Sequence, residues 1–201
     1  MAIKSTTLLA TLKTTEQSNT EILCDFLHER MRKKGFVCET LKLVRHRILP
    51  GTYSDMGAGD DWPSVLVKLL SSDVIIFATP VWWGGHSSEM QRVIERLDEI
   101  HDEILEGKRS RMDGKVGGVV ITGDSDGAQH IISNIANFFN AIGILLPPYA
   151  TLSVLSEKQR KGATTSRDEL MKLYEKDYAK TADKMIDQLL MFTKSTNVQR
   201  R

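Results

Sequence analysis

The chain has 201 residues, 41% of them hydrophobic, and carries 27 Lys+Arg against 26 Asp+Glu for a formal net charge of +1. That length and composition support one sizeable core, and they predict a single domain over 1–201. The near-neutral balance argues against a nucleic-acid surface and an acidic docking protein, and no apolar run approaches a membrane span.

In chain order, "TTLLATL" (6–12) reads as a first buried strand. Ile22, Leu23, Phe26, Leu27 and Met31 then recur at helical spacing, and Gly35 stops that helix after the basic end "RMRKK". "FVCETLKLV" (36–44) alternates like a strand nearer an edge. The following "RHRILPGTYSDMGAGDDWP" is irregular and predicts a long loop, ending where Asp60 or Asp61 could cap a helix at Trp62-Pro63. "DVIIFA" (73–78) is β-branched without alternation, as expected of a strand buried on both faces. One long helix is expected over Met90, Val93, Ile94, Leu97, Ile100 and Ile104, then a strand in "KVGGVVIT" (115–122), then a helix from Ile131 to Ile142 stopped by Gly143. "ILLPPYATL" offers a short fifth strand, 166–194 a C-terminal helical extension, and "STNVQRR" a frayed end.

Five βα units predict an α/β fold, a doubly wound parallel sheet with helices on both faces and a core over about 5–155. Ligands of such sheets bind outside the carboxyl ends of the strands. Three loops there carry unusual chemistry.

The loop after the first strand, "TLKTTEQSNT", has no glycine, which excludes the dinucleotide and P-loop phosphate motifs. It has Thr11, Lys13, Thr14, Thr15, Ser18, Asn19 and Thr20 leading into a helix, where backbone N–H groups, the dipole and hydroxyls suit a phosphate. Ordinary N-capping by Ser18 or Asn19 explains part of the same pattern.

The loop after the third strand, "TPVWWGGHSS", joins Pro80 and Val81 to Trp82 and Trp83, a large apolar and π surface, with Gly84 and Gly85 free to take positive φ. The alternative is that the tryptophans cover neighbouring loops or a subunit interface. After the fourth strand, "TGDSDG" brings Gly123, Asp124, Asp126 and Gly127, where either aspartate could cap the next helix. Together the loops suit a ligand with a phosphate at one end and a flat apolar ring at the other.

At these residues the sequence resembles the flavodoxin-like NAD(P)H-dependent FMN reductases, over about 5–150. Ser18-Asn19-Thr20 stands where the family's first loop ends in serine-asparagine-threonine. Pro80-Val81-Trp82-Trp83-Gly84 stands where the third-strand loop reads proline, apolar, aromatic, variable, glycine, and Gly123 to Gly127 matches the glycine-containing fourth loop. Many relatives begin the first loop with Gly-Ser-Pro-Arg; here Thr11-Leu12-Lys13-Thr14 occupies that place.

The resemblance implies the sheet order 2-1-3-4-5 and FMN as cofactor. It also implies NADH or NADPH as reductant, a small electron acceptor such as a quinone, flavin, nitro or azo compound, and homodimers or homotetramers. The expected FMN-binding set is Thr11, Lys13, Ser18, Asn19, Thr20, Pro80, Val81, Trp82, Trp83, Gly84, Gly123, Asp124, Asp126 and Gly127, with no catalytic side chain and no metal. Two cysteines, Cys24 and Cys38, read as core thiols of a reducing compartment. "MAIKSTTLLATL" lacks a cleavage site, so the expected location is cytoplasmic, without membrane or nucleic-acid partners. Two other classes remain open: a flavodoxin-type electron carrier, disfavoured by the net charge of +1, and a flavin-free interaction module.

Overall fold

The computed structural model describes residues 2–199. Five parallel strands form one sheet in the order β2-β1-β3-β4-β5, the flavodoxin-like order. They are β1 (Ile3–Leu9), β2 (Phe36–Lys42), β3 (Val74–Pro80), β4 (Val116–Gly123) and β5 (Thr151–Leu155). β3 sits centrally and alternates its apolar load between two cores. Ile75 and Phe77 enter one; Val74, Ile76 and Ala78 enter the other. The unbroken apolar run of the sequence is therefore two interleaved faces, both buried.

One core is covered by α2 (Trp62–Leu70), α3 (Ser88–Arg96), α4 (Asp98–Leu105) and α5 (Ala128–Ile142). The other lies under α1 (Asn19–Lys33), α6 (Arg167–Asp177) and α7 (Ala179–Gln199). Gly117 and Gly118 set how closely helices approach β4. A Cβ on Gly117 would lie 2.4 Å from the Phe139 ring of α5, and one on Gly118 2.8 Å from the Met185 methyl of α7. A side chain at Gly117 would have to displace the Phe139 ring, whereas one at Gly118 would have to push aside the end of the flexible Met185 side chain.

The structure departs from expectation in three places. The helix expected through Ile104 is two, α3 and α4, divided at Leu97. The C-terminal extension is likewise two helices, separated at Tyr178. It docks on α1 through Arg30, which pairs with Glu175 of α6 at 2.9 Å and Asp183 of α7 at 2.6 Å. The expected frayed end is helical through Gln199; Arg200 and Arg201 lie outside the described residues.

The long loop of residues 46–61 is held from beneath by Arg96, which is fully buried. Its guanidinium donates to the carbonyls of Tyr53 (2.9 Å) and Leu49 (2.7 Å) and to Asp60 Oδ2 (2.6 Å), and lies 5.7 Å from the Trp62 ring centroid. Burial alone would raise the Asp60 carboxyl. Arg96 and the N–H groups of Met56, Trp62 and Leu49 outweigh that and hold it at about 2. Of the two aspartates expected to cap α2, Asp61 holds the cap position without a side-chain bond, while Asp60 accepts from Trp62 N at 3.1 Å.

Arg96→Leu would leave Asp60 charged and buried without its partner, so a loss of about 3–5 kcal/mol is expected in urea unfolding at pH 7. A second effect concerns His28, packed between α1 and the first two strands, with Nε2 2.8 Å from Thr7 Oγ1. Burial, reinforced by Arg32, lowers its pKa to about 4 from 6.5. The unfolded chain binds this proton first. Stability contributed by neutral His28 is therefore complete above pH 6.5 and declines as pH falls towards 4, by about 3 kcal/mol. Urea midpoints measured across this window should fall with acid in the unaltered protein and stay flatter in His28→Gln.

Candidate functional site

Three loops leave the carboxyl ends of β1, β3 and β4 and meet. The sheet order forces this, because β1 and β3 are neighbours whose chains continue to opposite sides. Ser87 joins the first two. Its Oγ donates to the Ala10 carbonyl at 2.6 Å, its N–H donates to Thr79 Oγ1 at 3.0 Å, and the same Oγ caps α3 by accepting from Met90 N. The third loop is tied to the first helix by Thr20 Oγ1 and Thr122 Oγ1, 2.6 Å apart and both buried.

The first loop runs into the 15-residue helix α1, and Ser18 caps it, accepting from Glu21 N at 3.1 Å. The first-turn N–H groups of Asn19 and Thr20 have no intrahelical acceptor. Thr11 is buried, and its Oγ1 accepts from Lys13 N at 3.3 Å. Both Thr11 and Ser18 act as acceptors there, so each keeps its hydroxyl proton for another oxygen. Lys13 is exposed and pairs with Glu16 at 3.1 Å. Asn19 faces elsewhere: its amide donates to the Gln159 carbonyl at 3.0 Å.

The second loop is a tight turn. Trp82 and Gly85 exchange both backbone hydrogen bonds, at 2.8 and 2.9 Å. Trp83 and Gly84 between them have positive φ, 49° and 75°, as in the primed turns of hairpins. Gly84 uses the freedom to take positive φ and Gly85 does not; Trp83 takes that conformation beside Gly84. Trp83 is fully exposed and Trp82 partly so. Val81 N donates to Thr122 O and Trp82 N to Gly85 O. Of the four amides from Val81 to Gly84, those of Trp83 and Gly84 remain for a ligand among the described residues. His86 bridges to α5, with Nε2 3.2 Å from Asn134 Oδ1 and Nδ1 3.2 Å from the Ser87 carbonyl.

The third loop presses directly on this turn. Gly127, φ 134°, lies so close to Gly84 that a Cβ there would be 2.8 Å from the Gly84 backbone. Gly127 itself holds the cap position of α5 without a side-chain bond. Neither Asp124 nor Asp126 caps that helix; both are exposed at the rim. Gly123 N donates to Gln159 Oε1 at 3.1 Å.

Gln159 belongs to a fourth wall that the sequence did not announce. It follows β5, is buried, and touches three elements: the Asn19 amide, Gly123 N, and the Tyr174 hydroxyl of α6, to which its Nε2 donates at 2.7 Å. Two residues on, Lys161 Nζ lies 5.9 Å from the Trp82 ring centroid. A lone glutamine in the polar run "SEKQRKG" gives no periodic or motif signal, so only its position in space marks it.

The family model described as NADPH-dependent FMN reductase matches residues 8–158, the stretch that builds the first three walls and ends just before Gln159. The chain belongs to this family. It is 28% identical over 160 residues to the 8-demethyl-8-aminoriboflavin-5'-phosphate synthase of Streptomyces davaonensis, covering 75% of this chain and 62% of that protein. It is 34% identical over 153 residues to a Mycobacterium bovis protein named divalent metal cation transporter MntH, covering 74% of this chain but 22% of that one. The chain thus spans less than two thirds of either relative.

Among the described residues no helix is long and apolar enough to cross a membrane, and no group of three or more His, Cys, Asp or Glu could hold a metal ion. Among solved structures, RosB with a bound riboflavin-phosphate intermediate superposes with a TM-score of 0.82 at 23% identity, over 98% of this chain and 81% of that one. A flavodoxin from Streptococcus pneumoniae superposes at 0.56 and 14% identity. These likenesses agree with the flavodoxin-like fold read from the strand order.

Ser87→Ala removes a helix cap and leaves the buried Ala10 carbonyl without its donor. An expected loss of about 2–3 kcal/mol should appear in thermal or urea unfolding, larger than for a cap alone.

Proposed function

We propose that this protein is an oxidoreductase that binds FMN at the carboxyl edge of the sheet and moves electrons from NADH or NADPH to a small acceptor. The observation that carries this is the meeting of a hydroxyl-rich helix N-terminus with an exposed tryptophan turn. It is supported by the family match over residues 8–158.

The residues present fit the group. Thr11 and Ser18 hold hydroxyl protons in the loop that leads into α1, Ser18 at its cap, and Lys13, Thr14 and Thr15 belong to the same loop. These donors would take a phosphate. Trp82, from the β3 turn, would lie against the ring, and the Trp83 and Gly84 amides would face its polar edge. Such fixed donors stabilise negative charge where it develops. The chemistry that FMN supplies when bound is hydride acceptance from the nicotinamide and onward delivery of electrons.

The chain's own work is to position and shield. Pro80 and Val81 set the turn on the end of β3, and Gly127 lets the third loop close against it. Asp124 and Asp126 stand at the rim, where they would meet the polar chain between ring and phosphate. No side-chain acid or base is required, and none is assigned. The protein is proposed to act in the cytoplasm and to self-associate as a dimer or tetramer.

The test is the visible absorption spectrum of the purified protein after adding FMN and removing the excess. A retained flavin spectrum, with affinity reduced about tenfold or more in Trp82→Ala, is expected from the loss of ring contact. Rapid mixing with NADH and NADPH should then bleach the flavin band. Protein that keeps no FMN would overturn the proposal and leave the flavin-free module. Flavin that is held but not reduced by either nucleotide would favour an electron carrier.

A further inference from the structure

The same pattern stands at two helix starts. Ser18-Asn19-Thr20-Glu21 opens α1, and Ser166-Arg167-Asp168-Glu169 opens α6. Serine at the cap with glutamate three residues on is the capping box. The serine hydroxyl accepts from the glutamate N–H, and the glutamate carboxylate reaches back to the serine N–H. At α6 both halves are made: Glu169 N donates to Ser166 Oγ at 3.3 Å, and Ser166 N to Glu169 Oε2 at 2.8 Å. At α1 only the first half is made, with Glu21 N donating to Ser18 Oγ at 3.1 Å. Among the described residues the Ser18 N–H has no acceptor, although Ser18 is buried, where an unmade backbone bond is costly.

Lys42 accounts for the difference. It is the last residue of β2, paired in register with Leu9 at the end of β1, and its side chain is only 5% exposed. Its ammonium donates to Glu21 Oε2 at 2.9 Å and to the Glu16 carbonyl, within the first loop, at 3.1 Å. A buried cation requires a paired charge, so the Glu21 carboxylate is committed to Lys42 and withheld from Ser18. In a closed box that carboxylate would sit on the cap N–H, at the positive end of the helix dipole, where a phosphate binds. Carboxylate and phosphate would then compete for one donor and repel each other.

We propose that Lys42 is a positioning residue that holds Glu21 out of the α1 capping box, and so makes the site select phosphorylated over unphosphorylated flavin. The Ser18 N–H joins those of Asn19 and Thr20 as a phosphate donor. Paired, Lys42 and Glu21 present no net charge to the arriving phosphate. Without Lys42, Glu21 would close the box and take the phosphate's place. This rests on the FMN reading above and identifies what fixes its preference for a phosphate ester.

The test titrates FMN and riboflavin separately, by flavin fluorescence quenching, into the unaltered protein, Lys42→Met, Glu21→Ala and the double variant. Lys42→Met keeps the apolar stem and removes the ammonium. The Glu21 carboxylate, 24% exposed, then gains the Ser18 N–H, so the fold is expected to hold, with circular dichroism as the check. FMN affinity should fall about tenfold or more, the loss of one charge-assisted bond, while riboflavin affinity stays within about twofold. Glu21→Ala alone should keep FMN affinity, and the double variant should regain most of what Lys42→Met loses. Lys42→Gln, which keeps a donor towards Glu21 without the charge, should lie between and serves in place of Lys42→Met if that variant does not fold. A crystal structure of Lys42→Met without flavin should show Glu21 accepting from Ser18 N.

Unaltered protein that binds neither flavin would overturn both the FMN reading and this inference. Flavin bound with FMN no tighter than riboflavin, or a Lys42 variant that weakens both equally, would overturn this inference alone. So would a Glu21→Ala loss as large as that of Lys42→Met, the mark of an ion pair that only shapes the loop. Glu21 turned away from Ser18 in flavin-free Lys42→Met would overturn the competition between carboxylate and phosphate.

Discussion

Ser87 makes the contact on which the rest of the site depends. One buried hydroxyl caps α3 and at the same time holds the Ala10 carbonyl, so the chain leaving β1 and the chain leaving β3 are fixed to each other at 2.6 Å. Parallel strands bring loops to the same end of a sheet but do not by themselves set the distance between them. Here polar bonds set it: Ser87 between the first and second loops, Thr20 with Thr122 between the first helix and β4, and Gln159 between β4, α1 and α6. Each bond is buried or nearly so, where an unmade partner is costly.

Within that frame one turn runs against local preference. Trp83, with φ 49°, takes a backbone conformation that costs a residue bearing a Cβ about 1–2 kcal/mol, and its indole is fully exposed. Neither feature stabilises the isolated chain. The paired backbone bonds of Trp82 with Gly85 and the pressure of Gly127 on Gly84 hold the turn in place. Strain of this kind, over-determined by its surroundings, is characteristic of ligand-contacting segments. The turn uses the amides of Trp82 and Gly85 in its own paired bonds and leaves those of Trp83 and Gly84 outside that pairing. At the opposite flank Arg96 does for residues 46–61 what Ser87 does for the site, replacing absent secondary structure with a guanidinium that satisfies two carbonyls and one carboxylate.

Much of this was legible beforehand because it rests on short-range pattern. The apolar run of β3, the period of α1, the glycine stops at Gly35 and Gly143 and the hydroxyl-rich loop at 11–20 all report local physics. So does the tryptophan turn. Other features were opaque for a common reason. The division of α3 from α4 at Leu97 leaves the apolar spacing unbroken, so periodicity cannot reveal it. The positive φ of Trp83 beside Gly84 depends on how the turn is pinned. Asp124 and Asp126 have the chemistry of helix caps, yet Gly127 holds the cap position because the third loop must close on Gly84.

From the sequence alone came the class of fold, the count of strands and the loops that carry chemistry. These follow from periodicity and residue type, which act over a few residues. Only the tertiary structure could decide that Gln159 and Lys161 join the site from beyond β5, and that Arg96 is a buried anchor rather than a surface charge. Those facts join residues tens of positions apart, such as Asn19 to Gln159 or Leu49 to Arg96. Such distances are set by the packing of whole elements, which no local window of the chain encodes.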